Sequence, residues 1–373
     1  MKIVVTGAGG LIGWHAHARL HAANCAAAFR GETRPWDIVA LDRAAFQDDA
    51  RLAGALTGAD AVLHFAGVNR GPEAEVEAAN PAIATRLVEA IRSAGSDPHV
   101  VHANSVHAGG ATAYGRSKAS AHQILSLNLA SVTDLVLPHI FGEGARPFYN
   151  NVTATLIDRI LSGETPELNP DGQVHLLHAG AAADHAIAAV VQGAQGRIDP
   201  QARTLSVPDL FDRIRGFHAL YTANIFPDLS DPFDTALFNA YRFATYPGGW
   251  PRSLTLNTDA RGTLFEAVKG GGGGQSFLST TKPGVTRGDH FHLSKVERFL
   301  VVQGEAVIRM RRVLTGDVWA CRVSGAAPQV VDMPTLHTHS IENVGQGDLL
   351  TLFWTHDLFD PAHPDTYADK VLP

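Results

Sequence analysis

Apolar and polar positions change rhythm once along the chain. Lys2 to Thr6 is a compact β-branched run, and Leu11 to Ala23 has the texture of a helix. Asp37 to Leu41, Ala61 to Phe65 and Val100 to Asn104 read as further strands, with a helix over Pro81 to Ala94. Strands alternating with helices predict a doubly wound parallel sheet, whose ligand lies beyond the carboxyl ends of the strands. From Phe148 to about Arg252 the pattern loosens, with helices expected in FYNNVTATLIDRILSG and DLSDPFDTALFNAYRFATYP. Beyond Ser253 short alternating segments take over: Thr263 to Val268, Ser276 to Thr280, Phe299 to Val302, Ala306 to Arg311, Trp319 to Val323, Gln329 to Met333 and Leu349 to Trp354. Many short strands with glycine turns predict an antiparallel sandwich or barrel. Tyr246 to Pro251 breaks any helix and is the natural boundary, giving an α/β domain over 1–250 and an all-β domain over 251–373. The run Gly270 to Gly274 reads as a flexible hairpin loop.

Composition narrows the function classes. With 373 residues, 45% hydrophobic and 18% charged, the chain can bury two cores. A formal net charge of -7 argues against nucleic acid as a partner. Only Cys25 and Cys321 are present, which excludes a disulfide framework and fits a reducing compartment. KIVVTGAGGLIG lacks the layout of a signal peptide, and no apolar stretch approaches the ~20 residues that span a membrane. The expectation is a cytoplasmic protein with no membrane partner.

Candidate chemistry falls in both halves. Gly7, Gly10 and Gly13 separate the first strand from the first helix, where glycine permits a sharp turn and close approach of a pyrophosphate to free N–H groups. Asp42 and Arg43 end the second strand; the acid suits the ribose diol of NAD and the guanidinium the 2′-phosphate of NADP. Ser105 ends the fourth strand, and Tyr114 and Lys118, four apart in AYGRSK, share one helix face. An ammonium beside the phenol lowers its pKa and makes it a usable acid and base, while Ser105 can hold the substrate oxygen. In the second half, His290 and His292 leave one face of a strand together. If the chain turns through Leu293 to Val296 and the two strands pair, Glu297 returns beside them, and His339 completes a candidate set for a divalent metal. His337, on the same strand face as His339, is a candidate supporting donor, base or substitute ligand, and Lys295 another candidate base. Arg261 and Glu266 are candidate polar contacts for a bound ligand, or partners in an inward salt bridge.

TGAGGLIG, HFAGVN, the serine and YGRSK together resemble the extended short-chain dehydrogenase/reductase family over roughly Met1 to Pro200. That resemblance implies a Rossmann sheet, Tyr114 as acid and base, Lys118 also on the nicotinamide ribose, and cofactor contacts from Gly7, Gly10, Leu11, Ile12, Gly13, Asp42, Arg43, Ala66, Gly67, Val68, Pro138 and His139. Val136 stands where many relatives have arginine, and His139 where they have asparagine. Gly284, His290, His292, Glu297 and Gly304 match the first cupin motif; Pro334, His339 and Asn343 match the second, with Leu336 at its usual glycine. The whole chain, including DARGTLFE and FDPAHPDTY, resembles bifunctional capsular-polysaccharide enzymes that join such a reductase to a metal-binding cupin β-barrel. The resemblance implies a UDP-4-keto-6-deoxy-N-acetylhexosamine substrate, epimerised at C3 by the cupin and reduced at C4 by the first domain. It favours NADP with NAD left open, and zinc with other divalent metals left open. The expected assembly is a homodimer. The alternative is a sugar-nucleotide epimerase or dehydratase whose cupin only binds sugar or oligomerises.

Overall fold

Ile3, Val4 and Val5 are fully buried at the centre of β1 (Lys2–Thr6). In the computed structural model, which describes residues 1–372, this strand is followed by α1 (Leu11–Phe29), β2 (Asp37–Leu41), α2 (Arg43–Gln47), α3 (Asp49–Leu56), β3 (Ala61–His64) and α4 (Glu73–Ala94). Then come β4 (His99–Ser105), α5 (Ala113–Asn128), β5 (Val132–Leu137), β6 (His139–Phe141), α6 (Val152–Leu161), β7 (Gln173–His178), α7 (Ala179–Gln192), β8 (Gly196–Ile198) and β9 (Arg203–Ser206). Six strands pair in the order β2-β1-β3-β4-β5-β8, all parallel, while β6, β7 and β9 form a small second sheet. Alternation along β1 separates the two faces: Val4 packs with Leu52, Leu87 and Leu125 from α3, α4 and α5, and Ile3 and Val5 pack with Leu20 and Ala186 from α1 and α7. The sheet is thus doubly wound, as its alternating pattern predicts. Strand order reverses at β1, so the ends of β1 and β3 flank a crevice. Helix α4 begins eight residues before Pro81, which sits inside it. Glu73 and Glu75 favour the helix start, and proline costs one backbone bond that the flanking turns outweigh.

The second unit comprises Leu156–Glu167 and the chain from Asp209 onward. It contains most of α8 (Val207–Thr222), α9 (Pro232–Thr245), β10 (Arg252–Ser253), β11 (Asn257–Asp259), β12 (Gly262–Leu264), β13 (Gln275–Thr281), β14 (Thr286–Phe291) and β15 (Glu297–Gln303). It continues with β16 (Glu305–Arg312), β17 (Val318–Ser324), β18 (Gln329–Met333), β19 (His337–Asn343), β20 (Leu349–Thr355) and β21 (Tyr367–Ala368). Two five-stranded antiparallel sheets, β10-β18-β15-β20-β13 and β17-β16-β19-β14-β21, share a core of Phe299, Val331 and Phe353 with Ile308, Met310 and Ile341. The fold is therefore a parallel Rossmann-like sheet followed by an antiparallel all-β region.

Three expectations need correction here. Helices α8 and α9, placed in the first domain by sequence texture, pack with the β-sheets: Tyr221 donates to Asp332 at 2.7 Å, Asp332 pairs with the buried Arg298 at 2.6 Å, and Arg242 donates to the Met333 carbonyl at 2.7 Å. The break near Tyr246 marks where strands begin, and the packing unit starts about forty residues earlier. The strand expected over Thr263 to Val268 ends at Leu264. Gly271 donates to the Phe226 carbonyl at 2.9 Å, and a Cβ on Gly274 would lie 2.6 Å from the Thr355 carbonyl oxygen, so part of the glycine run is there for close approach of backbones. Among the described residues, no helix is long and apolar enough to cross a membrane.

Candidate functional site

The glycines after β1 have steric reasons to be glycine. Gly7 adopts φ +68°, and a Cβ there would lie 2.7 Å from the Ala66 amide nitrogen; one on Gly13 would lie 2.2 Å from the Gly7 carbonyl oxygen. Gly10 is the N-cap of α1, with no side chain to close off the helix's first amides. Leu11 and Ile12 follow in the first turn. Ala66, Gly67 and Val68 cross the end of β3, where Asn80 holds the loop by accepting from the Val68 amide and donating to its carbonyl, each at 2.9 Å. Asp42 and Arg43 are both exposed at the end of β2, and Asp42 also caps α2 by accepting from the Ala45 amide at 2.8 Å. These residues surround the crevice at the strand-order reversal, and the bare helix start suits a pyrophosphate.

Ser105 ends β4, where its Oγ accepts from the His107 amide at 3.2 Å, and Tyr114 opens α5. Burial pushes the Tyr114 phenol up, with the Ser105 hydroxyl pulling the other way. The expected lowering by Lys118 is absent: the ammonium lies on the predicted helix face but is buried and donates to the Ala103 carbonyl at 2.5 Å. Burial drives Lys118 down to about 8, against the nearby Asp134. Pro138 and His139 follow β5, and burial lowers the His139 imidazole. Val136 is buried within β5 at 2% exposure, which explains why an apolar residue suits that position.

In the β unit, His290, His292, Glu297 and His339 bring four ligand atoms within 4.8 Å of one another. They meet by a route other than the predicted hairpin. Strand β14 pairs with β19 and β21, whereas β15 pairs with β18 and β20, so Glu297 faces the histidines from the opposite sheet. A bulge between Gly288 and His290 shifts the register where the first ligand emerges. His292 and His339 place Nε2 at 3.2 and 3.1 Å from Glu297 Oε2. Their Nδ1 atoms face the carbonyls of Asp365 (2.5 Å) and His337 (3.1 Å), which holds each ring with Nε2 toward the carboxylate. Burial raises the Glu297 carboxyl, but the two imidazoles outweigh it and hold it well below the usual range. Burial and the neighbouring rings push His290 down to about 2, a neutral imidazole able to ligate. Three imidazoles, one buried carboxylate and fixed tautomers form a donor set that fits a divalent metal.

Asp365 is the residue that sequence reading passes over. Its carboxylate accepts from the amides of Leu293, Ser294 and Lys295 at 2.8 to 2.9 Å, fixing the crossing from β14 to β15. The signal was its place in FDPAHPDTY, a run without regular structure until β21 begins at Tyr367. Leu336 adopts φ +59°, the left-handed region where the cupin motif has glycine, and its amide donates to the His292 carbonyl at 2.8 Å. His337 packs on the rings of Tyr246 and Phe243 outside the ligand cluster. The Lys295 ammonium donates to the Pro364 carbonyl at 2.5 Å. Arg261 pairs with Asp259 and Glu266 with Lys269, both on the exposed surface, so no inward Arg261–Glu266 bridge forms.

Comparison with known proteins matches both units. Residues 3–198 match the NAD dependent epimerase/dehydratase family and residues 257–367 the polysaccharide biosynthesis C-terminal domain. The chain is 30% identical over 390 residues to a UDP-2-acetamido-2,6-beta-L-arabino-hexul-4-ose reductase of Pseudomonas aeruginosa, covering 100% of this chain and 99% of the relative. Its fold is similar to the crystal structure of the capsular polysaccharide assembling protein CapF of Staphylococcus aureus, with TM-score 0.61 and 29% identity over 100% of both chains. CapF with the inhibitor 3-isopropenyl-tropolone is similar at TM-score 0.56 and 27% identity, again over 100% of both chains. The chain belongs to the NAD dependent epimerase/dehydratase family and carries a polysaccharide biosynthesis C-terminal domain.

Proposed function

We propose that this chain is a nucleotide-sugar enzyme of surface polysaccharide biosynthesis that acts twice on one UDP-4-keto-6-deoxy-N-acetylhexosamine. The β unit, read as a cupin, epimerises C3, and the parallel-sheet unit reduces the C4 ketone to the talose-configured sugar. One observation carries the reading: a chain similar end to end to a UDP-hexul-4-ose reductase holds both a Ser105–Tyr114–Lys118 group and a separate histidine–carboxylate cluster.

A reduced nicotinamide, NADPH on the family resemblance, would lie along Gly7 to Gly13, Ala66 to Val68 and Pro138–His139 and supply the hydride. Tyr114, at the start of α5, donates the proton to the C4 oxygen as it becomes a hydroxyl, and Ser105, at the end of β4, orients that oxygen. Lys118, buried one helical turn on from Tyr114, would place positive charge on the side where the tyrosinate is left behind. In the β unit the C3 proton is acidic because it adjoins the C4 carbonyl. A divalent ion, zinc in our reading, held by His290, His292, Glu297 and His339 would stabilise the enolate as a Lewis acid. Asp365 keeps the ligand-bearing loop in place; the C3 proton leaves to a base on one face of the sugar, and a proton exchangeable with solvent is delivered to the opposite face.

The test is incubation of the full chain with the 4-keto sugar nucleotide in deuterium oxide, with and without NADPH. Deuterium at C3 without cofactor, and steady NADPH consumption with it, are expected. A chain that neither labels C3 nor consumes NADPH would contradict the proposal.

A further inference from the structure

A second histidine–carboxylate cluster lies in the parallel-sheet unit, and the proposed chemistry uses none of it. Glu143 follows β6 and is buried to 1% exposure between two imidazoles. His178, the N-cap of α7, places Nε2 2.7 Å from Glu143 Oε2. His15, in α1 and two residues after Gly13, is fully buried, with Nε2 3.8 Å from the same oxygen and 2.9 Å from the Glu143 carbonyl oxygen. The rings meet edge to face at 5.3 Å. Among the described residues, only this trio and the quartet of the β unit bring three or more such ligand atoms within 4.8 Å of one another.

The two clusters share a design. In each, a buried carboxylate oxygen is approached by two imidazole nitrogens, at 3.2 and 3.1 Å for Glu297 and at 2.7 and 3.8 Å for Glu143. A carboxylate withdrawn from water needs a compensating positive charge. His178 pairs with it at 2.7 Å, and Arg19, a nearby cation, is paired with Asp184 at 2.8 Å. Hydrogen bonding alone also leaves His15 poorly explained: Nε2 must carry the ring proton to donate to the Glu143 carbonyl, so the buried Nδ1 holds a lone pair with no partner and is the ring's ligand atom. Two imidazoles and one carboxylate are a known ligand set for zinc, with the fourth position left to water.

We infer that His15, Glu143 and His178 form a second divalent-metal site, a clamp joining α1, the segment after β6 and the start of α7. Because His15 rides on the helix that begins at the glycine cradle, the ion fixes that helix against the Gly142–Glu143 segment.

The experiment is metal analysis and calorimetric titration of the full chain, stripped of metal and then given Zn²⁺ or Co²⁺, with folding checked by circular dichroism. Two equivalents are expected in the unaltered chain, and one fewer in each of Glu143→Gln and His178→Ala. The double variant His290→Ala/His292→Ala should still bind one Co²⁺ with the visible bands of a tetrahedral site. The inference is overturned if folded Glu143→Gln and His178→Ala keep the full metal content, or if the double variant binds none. One equivalent lost only in the double variant removes this site and leaves the β-unit reading standing; one equivalent lost only with Glu143 or His178 does the reverse. Should both reductase-unit variants fail to fold, the double variant's Co²⁺ content alone decides.

Discussion

The parallel-sheet unit and the β unit place their functional side chains by different means. In the first, Gly7, Ala66, Ser105 and Pro138 all lie at or just past the carboxyl ends of parallel strands, so sheet topology gathers them and each needs only its local motif. In the second, the four ligands come from β14, its following loop, β15 and β19, which belong to two sheets. There the gathering depends on one loop crossing between sheets, and the crossing depends on Asp365. Changes in the first unit should therefore act through the reacting groups themselves, whereas the β unit should also be sensitive to a residue that touches no substrate.

The largest effect should follow removal of the proton donor. Tyr114→Phe is expected to lower kcat for ketone reduction by about 10²- to 10⁴-fold. Stopped-flow oxidation of NADPH measures this, and an unchanged rate would remove Tyr114 from the mechanism. Lys118 adds a pH signature. Its folded pKa of about 8 lies below the ordinary 10.5, so the native state sheds the proton first. Stability from this group is therefore lowest below pH 8 and rises as pH climbs toward 10.5, by up to about 3 kcal/mol at ~1.4 kcal/mol per pKa unit. Chemical denaturation of the parent and of Lys118→Met across that range should show the rise in the parent only; parallel curves would place the ammonium in water. Asp365→Ala should weaken metal binding in the β unit by about 10- to 100-fold while leaving NADPH binding unchanged. Competition with a zinc chelator reads the first and fluorescence titration the second. Equal metal affinity would make the loop self-supporting.

Much of this contrast is legible in the sequence. The β-branched run of β1, glycines where a Cβ would collide, Tyr114 four residues before Lys118, and the His290/His292 pair are local signals that local structure preserves. What local patterns conceal is pairing over distance. Glu297 follows His292 by five residues, yet it joins the other sheet because the chain crosses over instead of forming a hairpin. Asp365 lies 73 residues beyond His292 and His15 lies 128 residues before Glu143, separations at which no periodicity links them. Leu336 is the instructive intermediate case: a missing glycine in a motif flagged a position that does hold φ +59°, and a fully buried side chain accompanies it. Helices α8 and α9 look like part of the helical half, but Tyr221 and Arg242 commit them to the strands that follow.

The central claim is that the two units carry separable chemistries on one sugar. Its most direct measurement is C3 deuterium incorporation, without cofactor, in Tyr114→Phe and in His290→Ala/His292→Ala. Incorporation at the parent rate in the first and its loss in the second is the predicted result. Loss in Tyr114→Phe together with persistence in the histidine variant would put C3 chemistry in the parallel-sheet unit and contradict the account.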